Sequence, residues 1–497
     1  VKLLALRLCE HDSSFCFFDG KELKYLKTER IKGVKHHAFN NLLNWKVDFQ
    51  NLFNQNVDDL DEVAIIVDPW IYNLPAEDES FSNAVAFDHL ELNCKTWRIN
   101  HHYAHSLSTW AISRKEPEVS IVMDGFGDFD QSWTVFHKDE IIAKGSLKNN
   151  GSLGIEMAEA GDFLGIRASH RIDIAGKLMG LQSYGNISEN FIKYLDKYSI
   201  ENVKELFSFD NWIEFINDES IARLSTLDWI RNLHKKTGYL LVEFFRKFAK
   251  DDQLISFTGG IAQNVLWNTE LRKHFKNIII PPHCTDDGLT LGGIEFLRRK
   301  NNLNPFELNN FPYIQNDEAP LTIPDMDTIK KSALLLSQGH AIGWYQGNGE
   351  VGPRALGNRS ILLDPRIKNG KYLINKIKNR ENYRPFGATI LYEYKDDFFE
   401  IDSDPYMLFS SNVKNNSVES ITHIDNTCRV QTLKNENPVF RILLEEFHRL
   451  TGCPLLLNTS MNSAGKPLVG TIKDAKIFFE TTKLNYLVIG NEIFEKH

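Results

Sequence analysis

Short apolar runs that stop at an aspartate or a glycine pair, each followed by a helical stretch, most constrain what this chain can fold into. "EVAIIVD" (62–68) and "VSIVMDG" (119–125) have the length and composition of buried strands feeding a loop. "QLISFTGGIAQNVLWNTELRKHF" passes from a strand through Gly259-Gly260 into a helix, and "NIIIPPHCTDDGLTLGGIEFLRRK" repeats the plan. Strands alternating with helices predict an α/β architecture. The first thirty residues read as strands joined by tight turns, with Asp19-Gly20 as a hairpin signal. Residues 301–327 are rich in Asn, Pro and acids and lack periodicity, so the main boundary is expected there. A second α/β unit follows, with "NPVFRILLEEFHRLTG" as an amphipathic helix whose apolar face is Phe440, Leu443, Leu444, Phe447 and Leu450.

Bulk properties narrow the class. At 497 residues the chain has room for two large domains or three ordinary ones. Hydrophobic residues at 42% and charged residues at 25% make an ordinary globular balance. No apolar run approaches the ~18 residues of a membrane span. The start, "VKLLALRLCEHDSS", acquires Glu10, His11 and Asp12 too soon for a secretory signal. The six cysteines are scattered, with no CxxC pair, which points to a reducing compartment. A cytoplasmic protein is expected. A net charge of −9 gives no global attraction to nucleic acid. Residues 21–37 differ locally, with six Lys/Arg against two Glu: either a solvated face or a surface for phosphates.

Three constellations carry chemistry. In "NHHYAHSLSTW" (100–110), Asn100 is a reasonable N-cap and His101 and His105 stand one helical turn apart, on one face. Asp124 closes one predicted strand, and Asp286 or Asp287 follows another. Strand-end loops gather on one side of a parallel sheet, so these side chains can meet as a mixed N/O site suited to iron, manganese or zinc. Glycine-rich corners form the second group: Lys177 in "AGKLMGLQSYG", and Gly259, Gly260 and Asn264 in "FTGGIAQN", are candidates for holding a nucleotide's phosphates. None matches a P-loop or dinucleotide fingerprint. The third is "GWYQGNGEVGPRALGNRSILLDPR", with Arg354, Arg359 and Arg366, followed by Lys376, Lys378, Arg384 and Arg429. Arginines presented by turns suit bidentate capture of phosphate or carboxylate, and as a set they predict a polyanionic ligand such as a nucleotide triphosphate.

"HHYAH", "MDGFGD", "GKLMGLQSYG", "FTGGIAQN", "DDGLTLGG", "GEVGPRALGNRSILLDPR", "NYRPFGATIL" and "LLNTSMNSAGKPLV" occur in an order that resembles the O-carbamoyltransferase family. The resemblance implies an actin/Hsp70/sugar-kinase-like carbamoyl-transfer domain, placed at 1–312, and a YrdC-like α/β domain, placed at 326–497. It implies two steps: carbamoyl-adenylate is made from carbamoyl phosphate and ATP, and the carbamoyl group then passes to a hydroxyl. By matching, His101, His105, Asp124 and Asp286 would hold Fe2+ or another divalent metal, with Asp286 preferred to Asp287, and Mg2+ would accompany ATP. His11 matches the residue expected to take the acceptor's proton, and Lys35 a basic residue nearby. Arg354, Lys378, Arg384, Arg429 and Asn458 match the positions that grip ATP and carbamoyl phosphate.

Departures concern the acceptor. "HAFNN" replaces the usual "DGGFP" after "VKH", and "HHYAHSLS" replaces "HHLAHAAS". A sugar-type hydroxyl of a natural product, glycolipid or polysaccharide is the expected acceptor. The alternative is a hydroxymethylated base such as 5-hydroxymethylcytosine in phage DNA, favoured only by the basic run beside His11. A non-catalytic, nucleotide-gated actin/Hsp70-like binding protein is the reading of another class; it predicts neither four metal ligands nor an arginine-rich second domain. A tRNA threonylcarbamoylation enzyme is disfavoured by the "GPRALGNR" block, and a hydrogenase-maturation relative by the lack of CxxC modules.

Overall fold

The computed structural model describes residues 1–8, 11–69, 82–218, 225–315 and 321–496. The α/β class holds. The chain forms two compact units, one of residues 1–61 with 304–497 and one of residues 62–303.

The first unit opens with an antiparallel meander, β1 (Leu3–Arg7), β2 (Ser14–Phe18) and β3 (Leu23–Lys27). Its tight turn is at Asp19-Gly20: Gly20 has φ 98, and the Asp19 carboxylate accepts from the backbone N–H groups of Lys21 and Glu22 at 2.9 Å. The alternation of β2 points Phe15 and Phe17 one way, onto Phe49 and Phe53 of the helix Trp45–Phe53. Burying each ring contributes about 1.5–3 kcal/mol, which pins the meander's register.

The second unit holds β4 (Glu62–Ile66), β5 (Ala84–Ala86) and β6 (Lys95–Ile99), with β6 parallel to β4 and antiparallel to β5. A five-stranded sheet follows, built from β7 (Val119–Met123), β8 (Gln131–His137), β9 (Glu140–Ser146), β10 (Ile255–Thr258) and β11 (Ile278–Ile279), in the order β11-β10-β7-β8-β9. The ends of β7 and β10 lie side by side because these strands run parallel. The 23-residue helix Thr226–Phe248 starts on a complete Ser225/Asp228 capping box.

The rest of the first unit is an eight-stranded sheet of β12 (Ile342–Tyr345), β13 (Arg359–Leu363), β14 (Gly387–Leu391), β15 (Ser410–Asn412), β16 (Thr427–Leu433), β17 (Leu455–Ser460), β18 (Tyr486–Ile489) and β19 (Glu492–Glu495). Its order is β15-β16-β14-β17-β13-β12-β18-β19. The helix Pro438–Thr451 buries Phe440, Leu443, Leu444 and Phe447 and stops at Gly452, φ 71. Leu450 departs from expectation: it is 41% exposed, one turn past the face that the sheet covers. Residues 1–61 join this part of the unit through hydrogen bonds. Lys27 N–H donates to Gln315 Oε1 at 2.8 Å, and Arg30 Nη2 to the Gly352 carbonyl at 3.0 Å. No described helix is long and apolar enough to cross a membrane.

Candidate functional site

Within residues 62–303, His101, His105, Asp124 and Asp286 offer four ligand atoms all within 4.8 Å of one another. The first two lie on the helix His101–Leu107, where Asn100 is the N-cap and accepts from Tyr103 N–H at 3.0 Å. Asp128 fixes that helix start from outside: its Oδ2 accepts from Arg98 at 2.8 Å, from the Asn100 amide at 3.2 Å and from His101 N–H at 3.3 Å. At Gly292 a Cβ would stand 1.8 Å from the Ala104 carbonyl oxygen, so the helix Leu289–Lys300 reaches the histidine helix only with glycine there. The loop before that helix delivers Asp286.

The geometry converges on one point. His105 Nε2 is 3.1 Å from Asp124 Oδ2 and 3.5 Å from Asp286 Oδ1; His101 Nε2 is 3.6 and 3.4 Å from the same atoms. Burial alone would raise the Asp124 pKa. Hydrogen bonds from both imidazoles outweigh it and the repulsion of Asp286, so the carboxyl is held below its ordinary range. Two carboxylates and two imidazoles in a buried pocket fit a divalent transition metal. Asp287 is buried beside this group but outside it. His102 faces away, its Nδ1 2.8 Å from Thr134 Oγ1, and burial lowers its pKa well below the ordinary imidazole value.

The glycine corner packs closely against the end of β7. Gly259 has φ 90, and a Cβ there would meet the Met123 carbonyl oxygen at 2.1 Å; a Cβ on Gly260 would meet Asp124 Oδ1 at 2.9 Å. These glycines let the end of β10 close on the end of β7, and so pack the metal-ligand centre. Asn264 caps the helix Val265–His274 through Trp267 N–H, and its Nδ2 is 2.8 Å from His234 Nε2. Lys177 donates to the Arg167 carbonyl at 2.6 Å.

Residues 304–497 carry the cations. Lys378 is buried on the helix Gly370–Lys378 and donates to Ser460 Oγ, the Asn462 carbonyl and Asn462 Oδ1 at 3.1, 3.0 and 2.7 Å, and to the Ser460 carbonyl. Burial, with Arg380 and Arg384 beside it, lowers its pKa well below the usual amine value. Arg380 is depressed by burial and by Arg384 and Arg429, and Arg429 by burial and by Arg384. Arg384 thus bears on Lys378, Arg380 and Arg429 together, and such a gathering of basic side chains suits an anion. The sequence reading passes over Arg380; its position between Lys378 and Arg384 in "KIKNRENYR" was the available signal.

The expected arginine set divides. Arg359 is buried and donates to the carbonyls of Gln346 at 2.7 Å and Gly347 at 3.0 Å, and Arg366 pairs with Asp364 at 2.7 Å. Both bind the chain to itself. Arg354 is half-buried on a loop organised by Glu350, another residue the sequence reading misses. Glu350 Oε1 accepts from the N–H groups of Leu356 and Asn358 at 2.8 Å and of Arg359 at 3.2 Å. Asn458 is fully buried; its amide donates to Thr389 Oγ1 at 3.0 Å and the Ala355 carbonyl at 3.3 Å.

In residues 1–61, His11 is nearly half-exposed, its Nδ1 3.0 Å from Asp12 Oδ2. Lys35 is half-buried on the loop leading to His36. At least half of the cations in the basic run are engaged in ion pairs. Lys24 pairs with Glu22 at 2.9 Å, Lys27 with Asp12 at 2.8 Å and Lys32 with Asp48 at 2.7 Å, and Arg30 is buried.

Comparisons with known proteins identify the family. Residues 86–294 match the profile "Carbamoyltransferase N-terminus" and residues 333–496 match "Carbamoyltransferase C-terminus". Nodulation protein NolNO of Sinorhizobium fredii is 31% identical over 80% of the chain, which spans 64% of that protein's length. Nodulation protein NolO of Bradyrhizobium diazoefficiens is 30% identical over 80% of the chain and 79% of its own length. The 3'-hydroxymethylcephem-O-carbamoyltransferase of Amycolatopsis lactamdurans is 26% identical over 66% of each.

Proposed function

This chain belongs to the carbamoyltransferase family, and on that premise we propose that it is an ATP-dependent, cytoplasmic O-carbamoyltransferase working in two steps. In the first, residues 326–497 make carbamoyl-adenylate from carbamoyl phosphate and ATP (as its Mg2+ complex), releasing phosphate and pyrophosphate, with Lys378, Arg380, Arg384 and Arg429 gripping the anions and Arg354 and Asn458 completing the site. In the second, residues 1–312, as an actin/Hsp70-like domain, pass the carbamoyl group to a hydroxyl whose proton goes to His11. A divalent metal on His101, His105, Asp124 and Asp286, with iron(II) the first candidate, would neutralise phosphate charge and polarise the group being transferred. The observation that carries this reading is the gathering of Lys378, Arg380 and Arg429 around Arg384, beside a separate group of two histidines and two aspartates in residues 62–303.

The acceptor is a sugar-type hydroxyl. The alternative, a hydroxymethylated base in DNA, rests on the basic run at 21–37, where Lys24, Lys27 and Lys32 are already paired with carboxylates. The test is mass spectrometry of sugars, glycosylated metabolites and hydroxymethylcytosine DNA after incubation with the protein, ATP, carbamoyl phosphate and iron(II). A carbamoyl mass gain on a sugar-type acceptor, lost in His105→Ala, is the expected result. Gain on the DNA alone overturns the acceptor assignment. No gain and no ATP consumption dependent on carbamoyl phosphate overturns the whole reading.

A further inference from the structure

Among the described residues, a second dense group of titratable side chains, apart from the candidate metal centre, lies beside the turn between β1 and β2. The Asp12 carboxylate is buried and meets three cationic or proton-bearing groups. These are His11 Nδ1 at 3.0 Å, His36 Nδ1 at 3.0 and 3.1 Å, and Lys27 Nζ at 2.8 Å. Lys27 also reaches Glu29 at 3.2 Å, and Glu29 accepts from His36 N–H at 2.9 Å. Asp12, Glu29 and His36 are close enough to share a cation, but the Lys27 ammonium already lies against both carboxylates. The group is therefore a charge-matched network rather than a second metal centre. Asp12 at φ 63 and His36 at φ 54 both occupy the left-handed region. Such backbone costs about 1–3 kcal/mol per residue and persists where the surroundings over-determine it, as at functional sites.

A carboxylate can only accept, so the Nδ1 atoms of His11 and His36 must carry their protons toward Asp12. That leaves Nε2 as the basic nitrogen of His11. His11's side chain is 46% exposed while Asp12's is 7% exposed, so the imidazole stands at the surface of the network and its anchor lies beneath. We infer that Asp12 is the positioning residue for acceptor activation: it fixes the tautomer and orientation of His11, while Lys27 and His36 hold Asp12 itself in place. This rests on the reading of His11 as the base. The acceptor O–H gives its proton to His11 Nε2 as its oxygen bonds to the carbamoyl carbon. The bond from that carbon to the adenylate phosphate oxygen breaks, and its electron pair leaves on AMP. Asp12 stays ionised throughout and stabilises the imidazolium.

The test compares Asp12→Asn and His11→Ala in the full-length protein, timing acceptor carbamoylation separately from carbamoyl-phosphate-dependent ATP consumption. Asp12→Asn is expected to lower kcat for transfer about 10²–10⁴-fold with the acceptor KM unchanged. It should add nothing further in a His11→Ala background. Continued ATP consumption shows that the variant is folded. Transfer at the wild-type rate in Asp12→Asn, with His11→Ala inactive, overturns this inference alone; wild-type transfer in His11→Ala overturns the role of His11 and this inference with it. A spectrum of the wild-type protein with 15N-histidine decides the matter even if Asp12→Asn fails to fold. The His11 signals, identified by their loss in His11→Asn, are expected to show a protonated Nδ1 and an unprotonated Nε2 at a pH where the ring is neutral. The opposite tautomer overturns the inference.

Discussion

His105 contributes one nitrogen to a group of four ligand atoms, and its loss cannot be made up by neighbours, because His102 turns to Thr134 and His283 to the Ser108 carbonyl. His105→Ala and Asp124→Asn are therefore each expected to lower metal affinity at least ~10–100-fold, the range seen for lesser changes around metal ligands. Metal content after gel filtration, measured by plasma mass spectrometry, checks this without any assay of activity. Asp12 is the clearest case for pH dependence. Burial would raise its pKa, but Lys27, His11 and His36 together hold it well below the ordinary carboxylate value of ~3.9. A depressed carboxyl contributes stability that is present above its unfolded pKa and lost as pH falls through the lower, folded value. Urea midpoints should therefore show Asp12→Asn less stable than wild type at pH 7, with the gap closing below pH ~4. A gap constant across that window would contradict the network. The residues themselves were only partly legible. His11 and Asp12 are adjacent in "EHDSS", but the pairing depends on Lys27 and His36, which reach Asp12 through the strand β3 and a loop. Charge density misled in the other direction at Arg359 and Arg366, whose guanidinium groups serve backbone carbonyls and Asp364.

Among the elements, those governed by local rules were readable. Asn100 before "HHYAH" predicts both the cap and the shared face of the two histidines, because an i, i+4 spacing needs only the helix itself. What orients the helix was not readable, since Asp128 arrives from a turn after another strand. The glycine corner shows a similar limit: the turn was expected, but its closeness to Asp124 depends on β10 pairing beside β7. Gly260→Ala would push a methyl to 2.9 Å from Asp124 Oδ1. It is expected to weaken metal binding ~10-fold or more with the sheet intact, judged by metal titration beside circular dichroism. The loop carrying Arg354 depends on one carboxylate in a comparable way. Glu350→Gln removes the charge that gathers three N–H groups and is expected to cost about 1–3 kcal/mol of stability. Hydrogen exchange should accelerate at the amides of Leu356, Asn358 and Arg359 before it does so across β12.

For the whole molecule, the proposed division of labour has a direct consequence. Arg384→Ala is expected to reduce carbamoyl-phosphate-dependent ATP consumption, by about 10²-fold if it grips the transferred anion. Carbamoylation from added carbamoyl-adenylate should be spared. Loss of both steps together would deny that they are separable. The alternation of strands and helices made the α/β class plain. The partition of the chain was not plain, because the first 61 residues belong with residues 304–497 through contacts that no local pattern announces.

That partition also sets a timetable for biosynthesis. Lys27 must wait for Gln315, 288 residues further on, and Arg30 for Gly352, 322 further on. At ~5–20 residues per second, Lys27 and Arg30 leave the ribosome roughly 15 to 60 s before Gln315 and Gly352 exist. Residues 62–303 are continuous and can fold during that interval. A nascent chain stalled near residue 303 lacks both hydrogen bonds, so limited proteolysis should cut within residues 1–61 faster there than in the released protein.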